Sequence, residues 1–441
     1  MQYATTRGPR PDRRRFLRAA GATGLLALTG GAAACAVDAG LETAAPGPGD
    51  VIRIGYVTPE TGPLAPLGEA ERFVATAMGE ILSARPITVG GRPHRVEILT
   101  RDSQSDGQRA ADVAAGLALD DRVHLVLVSA GADTVNAVSD QCEAAGVPCV
   151  AASTPWQSWF HLRGGRPESP FRWTYLMSWG MEDAQAVYAD LWDEVATNRV
   201  VGAFWSNSAE GLAWNSPGTG LPAALAERGY TLVDPGVFED GTPDFSAWID
   251  AFRAADAQVL LGVASPLDLE TFWRQAAERD YRPRIATIGR GARVPASVER
   301  LDPPVVNLGT EVSWSPSHPF TSSLTGMSAG DLAAEYTART GRQWTQPIGF
   351  AHALFEVAAA AFGAVGSIDD REGVARAIAG MRLDTVIGPV DFTAGPVPGV
   401  AKTPLAGGQW QTGETHPFEL VVVSNARYPQ VPTAGRVEPL G

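Results

Sequence analysis

From residue 51 onward, short β-branched and apolar runs alternate with longer amphipathic ones. VIRIGYV (51–57) reads as a strand and residues 65–83 as a helix; VEILTRD (96–102) and residues 107–118 repeat the pair. VHLVLVS (123–129), a helix over 134–145 and VPCVAAS (147–153) follow. Short apolar strands separated by helices pack as right-handed βαβ units on a parallel sheet buried on both faces. The rhythm restarts with RVVGAFW (199–205), TLVDPGVF (231–238), AQVLLGVA (257–264) and RIATIG (284–289), spaced by helices near 181–196, 219–229, 244–255 and 268–280. Helices at 328–340, 346–365 and 371–382 are too many for a tail and predict that the chain re-enters the first unit. The expected fold is α/β: two doubly wound parallel-sheet lobes joined by three hinge crossings, at 171–180, 306–319 and 388–399, where the sequence is irregular and rich in Pro, Gly and Trp. Lobe 1 is assigned residues 51–172 and 318–387, and lobe 2 residues 173–317 and 388–441.

The segment before the first strand belongs to neither lobe. In DRRRFLRAAGATGLLALTGGAAAC (12–35) the apolar part is diluted by Gly and Thr. It is too short for a spanning helix, which takes about 20 apolar residues. It reads as the apolar region of a signal peptide, residues 1–34. Arg13-Arg14-Arg15-Phe16-Leu17-Arg18 resembles the twin-arginine export pattern. Ala32-Ala33-Ala34-Cys35 resembles a lipidation site without its usual Leu, so Cys35 either becomes the lipidated N-terminus or is lost or left free by ordinary cleavage nearby. Residues 35–50, rich in Pro, Gly and Ala, are then a linker. The expected location is periplasmic or extracytoplasmic, with membrane contact only through a lipid anchor.

Export changes how the charge and the cysteines are read. The whole chain carries −14; its first 34 residues hold six Arg and one Asp, a charge of +5, so the mature part stands at −19. An acidic surface of this kind argues against nucleic acid and anionic membrane as partners. Cys142, at a helix end, and Cys149, in the strand after the turn 145–148, are placed to form a disulfide in an oxidising compartment; the alternative is two buried thiols.

In open α/β sheets a ligand lies beyond the carboxyl ends of the strands. The loops that would line one cleft are 58–67, 102–106, 129–134, 151–159, 205–214, 264–268 and 289–293. Seven tryptophans fall in or beside loops at the cleft or the crossings: Trp156, Trp159, Trp173, Trp179, Trp205, Trp214 and Trp314. Trp156, Trp205 and Trp314 are the candidate pocket walls, by stacking or cation–π contact, against the alternative that they pack the hinge. Asp268 joins Trp205 as a second-lobe candidate. Gly-x-Ser-x-Gly, phosphate-loop and His-Glu-x-x-His patterns are missing, and the six histidines are dispersed. No catalytic residue, metal or cofactor is expected, and an α/β hydrolase-type enzyme is the weakest alternative.

Residues 51–69 (VIRIGYVTPETGPLAPLGE), the stretch from Arg101 to Pro155 and DTVIGPVDF (384–392) together resemble the leucine/isoleucine/valine-binding family, the extracytoplasmic solute-binding proteins of branched-chain amino acid ABC importers. The resemblance covers most of residues 51–400. It implies a type I periplasmic binding fold, a clamp that closes on a small polar solute, and an ABC permease and ATPase as partners of a monomer. A separate signalling chain is the alternative partner. The family's carboxylate-holding segment matches Ala151-Ala152-Ser153-Thr154, making Ala151, Ser153 and Thr154 ligand candidates. Two departures stand out. Where relatives place a serine after the third strand, this chain has Gly131-Ala132-Asp133, leaving Ser129 or Thr134 as substitutes. Where relatives hold the α-ammonium with a second-lobe acid, it reads Ile288-Gly289-Arg290-Gly291, which weighs against an ordinary α-amino acid.

Overall fold

A computed structural model describes residues 51–218 and 220–441. The expected signal peptide, the linker and Cys35 lie outside the described residues. The chain first runs through β1 (Val51–Thr58), α1 (Ala65–Ala84), β2 (Ile87–Val89), β3 (Arg92–Asp102), α2 (Gly107–Leu119), β4 (Leu125–Val128), α3 (Ala132–Ala145), β5 (Cys149–Ala152), α4 (Trp156–Phe160) and β6 (Thr174–Ser178). It then forms α5 (Met181–Asp193), β7 (Val200–Ser206), α6 (Ala209–Trp214), α7 (Leu221–Glu227), β8 (Thr231–Val233), β9 (Val237–Phe238), α8 (Ser246–Ala254), β10 (Val259–Ala264), α9 (Pro266–Glu278), β11 (Ile285–Arg290), α10 (Pro295–Val298) and β12 (Leu308–Val312). It returns through α11 (Ala329–Thr340), α12 (Pro347–Gly363), α13 (Arg371–Ala379), β13 (Arg382–Thr385), β14 (Gly388–Asp391) and β15 (Val400–Lys402), and ends with β16 (Ala406–Thr412) and β17 (Phe418–Ser424).

Two large sheets result, ordered β15-β6-β5-β4-β1-β3-β2 and β17-β16-β12-β11-β10-β7-β8, with β9 also on β7. Their central strands are parallel, as the alternation of apolar runs and helices predicts. β2 runs antiparallel to β3 and β17 to β16, each pair being consecutive in the chain with no helix between its strands, and β16 is also antiparallel to β12. TLVDPGVF, expected as one strand, is divided into β8 and β9 around Asp234-Pro235-Gly236, where proline cannot continue a ladder.

The domain boundaries shift by short segments that carry little periodicity. β6, expected in a crossing, lies beside β5, so lobe 1 extends to Ser178. β15 pairs with β6 in parallel, so residues 400–402, assigned to lobe 2, complete the first sheet. The crossings therefore follow β6, β12 and β15. A three-residue strand such as β15, close to Gly399 and Pro404, leaves no pattern to read, and the sequence alone places it in lobe 2.

Helix ends follow local chemistry. Asp106 caps α2 by accepting the Arg109 N–H, and α3 stops at Gly146, whose φ of 63° suits the left-handed exit. α12 is buried along nearly all its length, since it packs on α1, α11 and α13 and against the first sheet. Cys142 and Cys149 are free, buried thiols, so the expected disulfide is not formed; both pack as small apolar groups in the core between α2, α3 and the first sheet.

Candidate functional site

In the first sheet the chain runs from β1 to β3 on one side and then to β4 on the other, so the loops after β1 and β4 diverge and open a crevice. Glu71 of α1 turns into it. Its carboxylate accepts the Thr58 hydroxyl at 2.6 Å and the Ser129 hydroxyl at 2.5 Å. Burial raises its pKa to about 7, despite those hydrogen bonds and the nearby Arg293. Ser129 is thus already engaged, and the Thr134 hydroxyl donates to the carbonyls of Ala130 and Gly131 in its own helix turn. Ala151 is buried in β5. Ser153 and Thr154 are buried just beyond it, and neither hydroxyl has a partner. Trp156 starts α4 and donates to Glu182, itself paired with Lys402, so this indole is turned toward a half-exposed ion pair.

The second lobe supplies a denser set of charges. Trp205 ends β7, while α6 brings in Glu210 and Trp214, both buried. Arg290 closes β11, and Arg293 follows it; their side chains are only 5% and 3% exposed. Glu311, inside β12, accepts the Tyr188 hydroxyl and lies 3.6 Å from the Arg293 Nε. The Arg293 guanidinium also sits 4.7 Å from the ring centre of Trp179, at the first crossing. Asp133 of α3 accepts the Ala209 N–H at 3.0 Å and lies 4.0 Å from Arg290, which is 3.9 Å from Asp240. These contacts run from lobe 1 to lobe 2, so the cleft is shut.

Asp268 is not part of this set. It accepts the Ser265 hydroxyl and the Gly241 N–H, and its own N–H is capped by Ser265: it secures the start of α9. Trp314 is fully buried against Gly349 of α12 and edge-on to Trp344, which is hinge packing. Trp205 remains at the strand end with its Nε1 unpartnered, as do the indole nitrogens of Trp179, Trp214 and Trp314. The Arg290 Nε and Nη1 and the Arg293 Nε are unpartnered too. A buried donor without an acceptor costs about 1–3 kcal/mol, so the unpartnered Trp205, Arg290 and Arg293 donors at and just beyond the carboxyl ends of β7 and β11 mark the cleft as the candidate binding site.

Backbone strain points to the same place. Ala130, Ser153 and Arg290 adopt left-handed φ values of 72°, 61° and 59° at the ends of β4, β5 and β11. Non-glycine residues persist there only where the surrounding structure enforces it, and such positions cluster at ligand sites.

Glu71, Glu210, Glu311 and Arg293 escaped the reading of the sequence. Glu71 did carry a signal, since it shares a helical stripe with Leu67, Val74 and Met78. An acid on an apolar stripe is either paired or functional. Among the described residues no cluster of His, Cys, Asp and Glu could hold a metal ion.

The buried acids give a pH signature. Burial raises Glu71, Glu210 and Glu356 to about 7, above their unfolded value near 4.5. Their stabilisation is complete below pH 4.5 and is lost as pH rises through 7. His318 and His352 are pushed down to about 4 and about 3 by burial, so they favour the folded chain increasingly as pH rises toward 6.5. The opposing slopes offset one another below pH 6.5, and only the acids titrate above it. The folded chain is expected to lose roughly 1 kcal/mol per acid between pH 6.5 and 8. Denaturation midpoints across that range, repeated with Glu71→Gln, check the slope and its partial removal.

A periplasmic binding protein family model matches residues 51–415. No curated protein matches the chain in sequence. Among solved structures, a leucine binding protein, LivK, from Thermotoga maritima is 20% identical, with a TM-score of 0.70 over 85% of this chain and 99% of that one. The substrate binding protein LivJ from Streptococcus pneumoniae, solved with isoleucine, is 17% identical, with a TM-score of 0.67 over 84% and 99%. A Rhodopseudomonas palustris solute binding protein of an ABC transporter, solved with 4-hydroxybenzoate, is 15% identical, with a TM-score of 0.68 over 85% and 96%. The match begins with the first strand of lobe 1 and ends beyond β16 in lobe 2, spanning both halves of the cleft and all three crossings: this chain belongs to the periplasmic binding protein family.

Proposed function

We propose that the chain is the extracytoplasmic solute-binding component of an ABC importer, capturing a small polar solute between its lobes and delivering it to a permease served by an ATPase. The observation that carries this reading is the convergence of unpartnered donors from both lobes, Ser153 and Thr154 on one side and Trp205, Arg290 and Arg293 on the other, in a cleft closed by interlobe contacts. The export signal, with Cys35 as a possible point of lipid attachment, fits a monomer working outside the inner membrane. Among the described residues no helix is long and apolar enough to cross a membrane. Family membership supports binding without turnover, and the resemblance to leucine-, isoleucine- and hydroxybenzoate-binding structures bounds the size of the solute.

Closure is a shift between open and shut states, driven by contacts made only when shut. Micromolar binding requires about 8 kcal/mol, within reach of a few buried hydrogen bonds and one stacked ring. The test is small-angle scattering of the mature chain with and without a stabilising solute. Compaction supports the reading; an unchanged profile with a tightly bound solute removes it.

Asp133 gives a sharper check. Its half-buried carboxylate bridges the lobes through the Ala209 N–H and Arg290. Asp133→Ala is expected to weaken the shut state and lower solute affinity about tenfold. Calorimetry reads the affinity, and the scattering profile of the variant shifts toward the open form.

A further inference from the structure

We infer that the cleft takes a small monocarboxylate with a flat apolar body and no α-ammonium group, its carboxylate held by Arg290. The inference rests on the solute-binding reading above. Among the arginine and indole side chains near the cleft the unpartnered polar atoms are donors: Arg290 Nε and Nη1, Arg293 Nε, and the Nε1 of Trp179, Trp205 and Trp214. Arginine and indole nitrogens cannot accept a hydrogen bond, so a ligand that completes this site must bring acceptors. The one unpartnered acid oxygen among the cleft acids, Glu311 Oε1, already faces Arg293.

Arg290 is the group free to take the acid. Its pairs with Asp133 and Asp240 are 4.0 and 3.9 Å long, beyond hydrogen-bond reach, and those carboxylates are 39% and 46% exposed. A nearer planar anion would meet its guanidinium fork edge-on with two parallel hydrogen bonds. Arg293, by contrast, is committed to Glu311 and the Trp179 ring.

An α-ammonium has no comparable seat. Glu71 accepts from Thr58 and Ser129; Glu311 accepts from Tyr188 with one oxygen and faces Arg293 at 3.6 Å with the other; Asp133 accepts from Ala209 with one oxygen and lies 4.0 Å from Arg290 with the other, so each faces a cation or is bonded on both oxygens. Glu210, the remaining buried acid, lies in the field of both arginines, so an ammonium placed there would approach two guanidiniums. The fully buried indoles of Trp179, Trp205 and Trp214 favour a flat, apolar remainder over a branched or charged one.

The test is calorimetric titration of the mature chain with benzoate, phenylacetate, benzamide and isoleucine. One of the two acids is expected to bind, with benzamide about 100-fold weaker and isoleucine weaker than the acid. Arg290→Gln is expected to lose about 100-fold in affinity for the acid, with the unliganded melting temperature within a few degrees of the parent. The acid-to-amide ratio is measured on the unaltered chain and so stands whatever the variant does. Equal binding of benzoate and benzamide, isoleucine bound as tightly as either acid, or no binding of either acid overturns the inference. Isoleucine binding with compaction leaves the solute-binding reading intact; chemical conversion of a bound compound removes that reading instead.

Discussion

Glu311→Ala is expected to destabilise the chain by about 3–5 kcal/mol, the cost of leaving a buried charge without its partner. The Arg293 side chain is 3% exposed and Glu311 fully buried, so water cannot replace the lost carboxylate. The Tyr188 hydroxyl loses its acceptor in the same step. Breaking the pair differs from replacing it. The double variant Glu311→Leu with Arg293→Met removes both charges and is expected to recover most of the loss, because apolar side chains of similar size often equal a buried ion pair. Urea denaturation of the single and double variants checks both statements. A loss below about 1 kcal/mol in Glu311→Ala would place the pair among solvent-screened ones and contradict its burial.

Gly349→Ala is the second large effect. A Cβ at this position in α12 would lie 2.3 and 2.4 Å from two atoms of the Trp314 ring. Alanine is worth about 1 kcal/mol over glycine in a helix interior, so an open site would gain. Here the indole cannot retreat, because it is fully buried and edge-on to Trp344. A net loss of about 1–3 kcal/mol is expected, as for other overpacked cores. Trp314→Phe in the same chain keeps the Cγ and both Cδ atoms that the new Cβ would meet, so it is expected to recover little of the loss. Since Trp314 lies on the crossing after β12, solute affinity should fall along with the denaturation midpoint.

The framework was legible wherever an apolar run was long enough to show its period. α1, α3, α9 and α12 lie within two residues of their expected limits, and the strands from β1 to β11 lie where β-branched runs predict them, with β2 as an addition; β6 and β12 were read as crossings. What was lost is short or flanked by turn residues, such as β15 and the division between β8 and β9. The site was less legible, for a physical reason. Ser153 and Thr154 were candidates through the resemblance of 151–154 to the family's carboxylate-holding segment and Trp205 as an aromatic residue beside a cleft loop, and all three have a polar atom that the fold leaves without a partner. Trp156 and Asp268, candidates on the same grounds of position, satisfy their polar atoms locally, through Glu182 and Ser265. Glu311 looks like an ordinary acid until tertiary packing encloses it, whereas Glu71 is betrayed only by its place on an apolar helical stripe.

The return of β15 to the first sheet has a consequence for how the molecule is made. Its partner β6 ends at Ser178, and more than two hundred residues intervene before Val400 supplies the neighbouring strand. A ribosome must therefore deliver the chain through Lys402 before the leading lobe can be finished. Nascent fragments ending near β12 should remain protease-sensitive, because the first sheet still lacks the strand that covers β6.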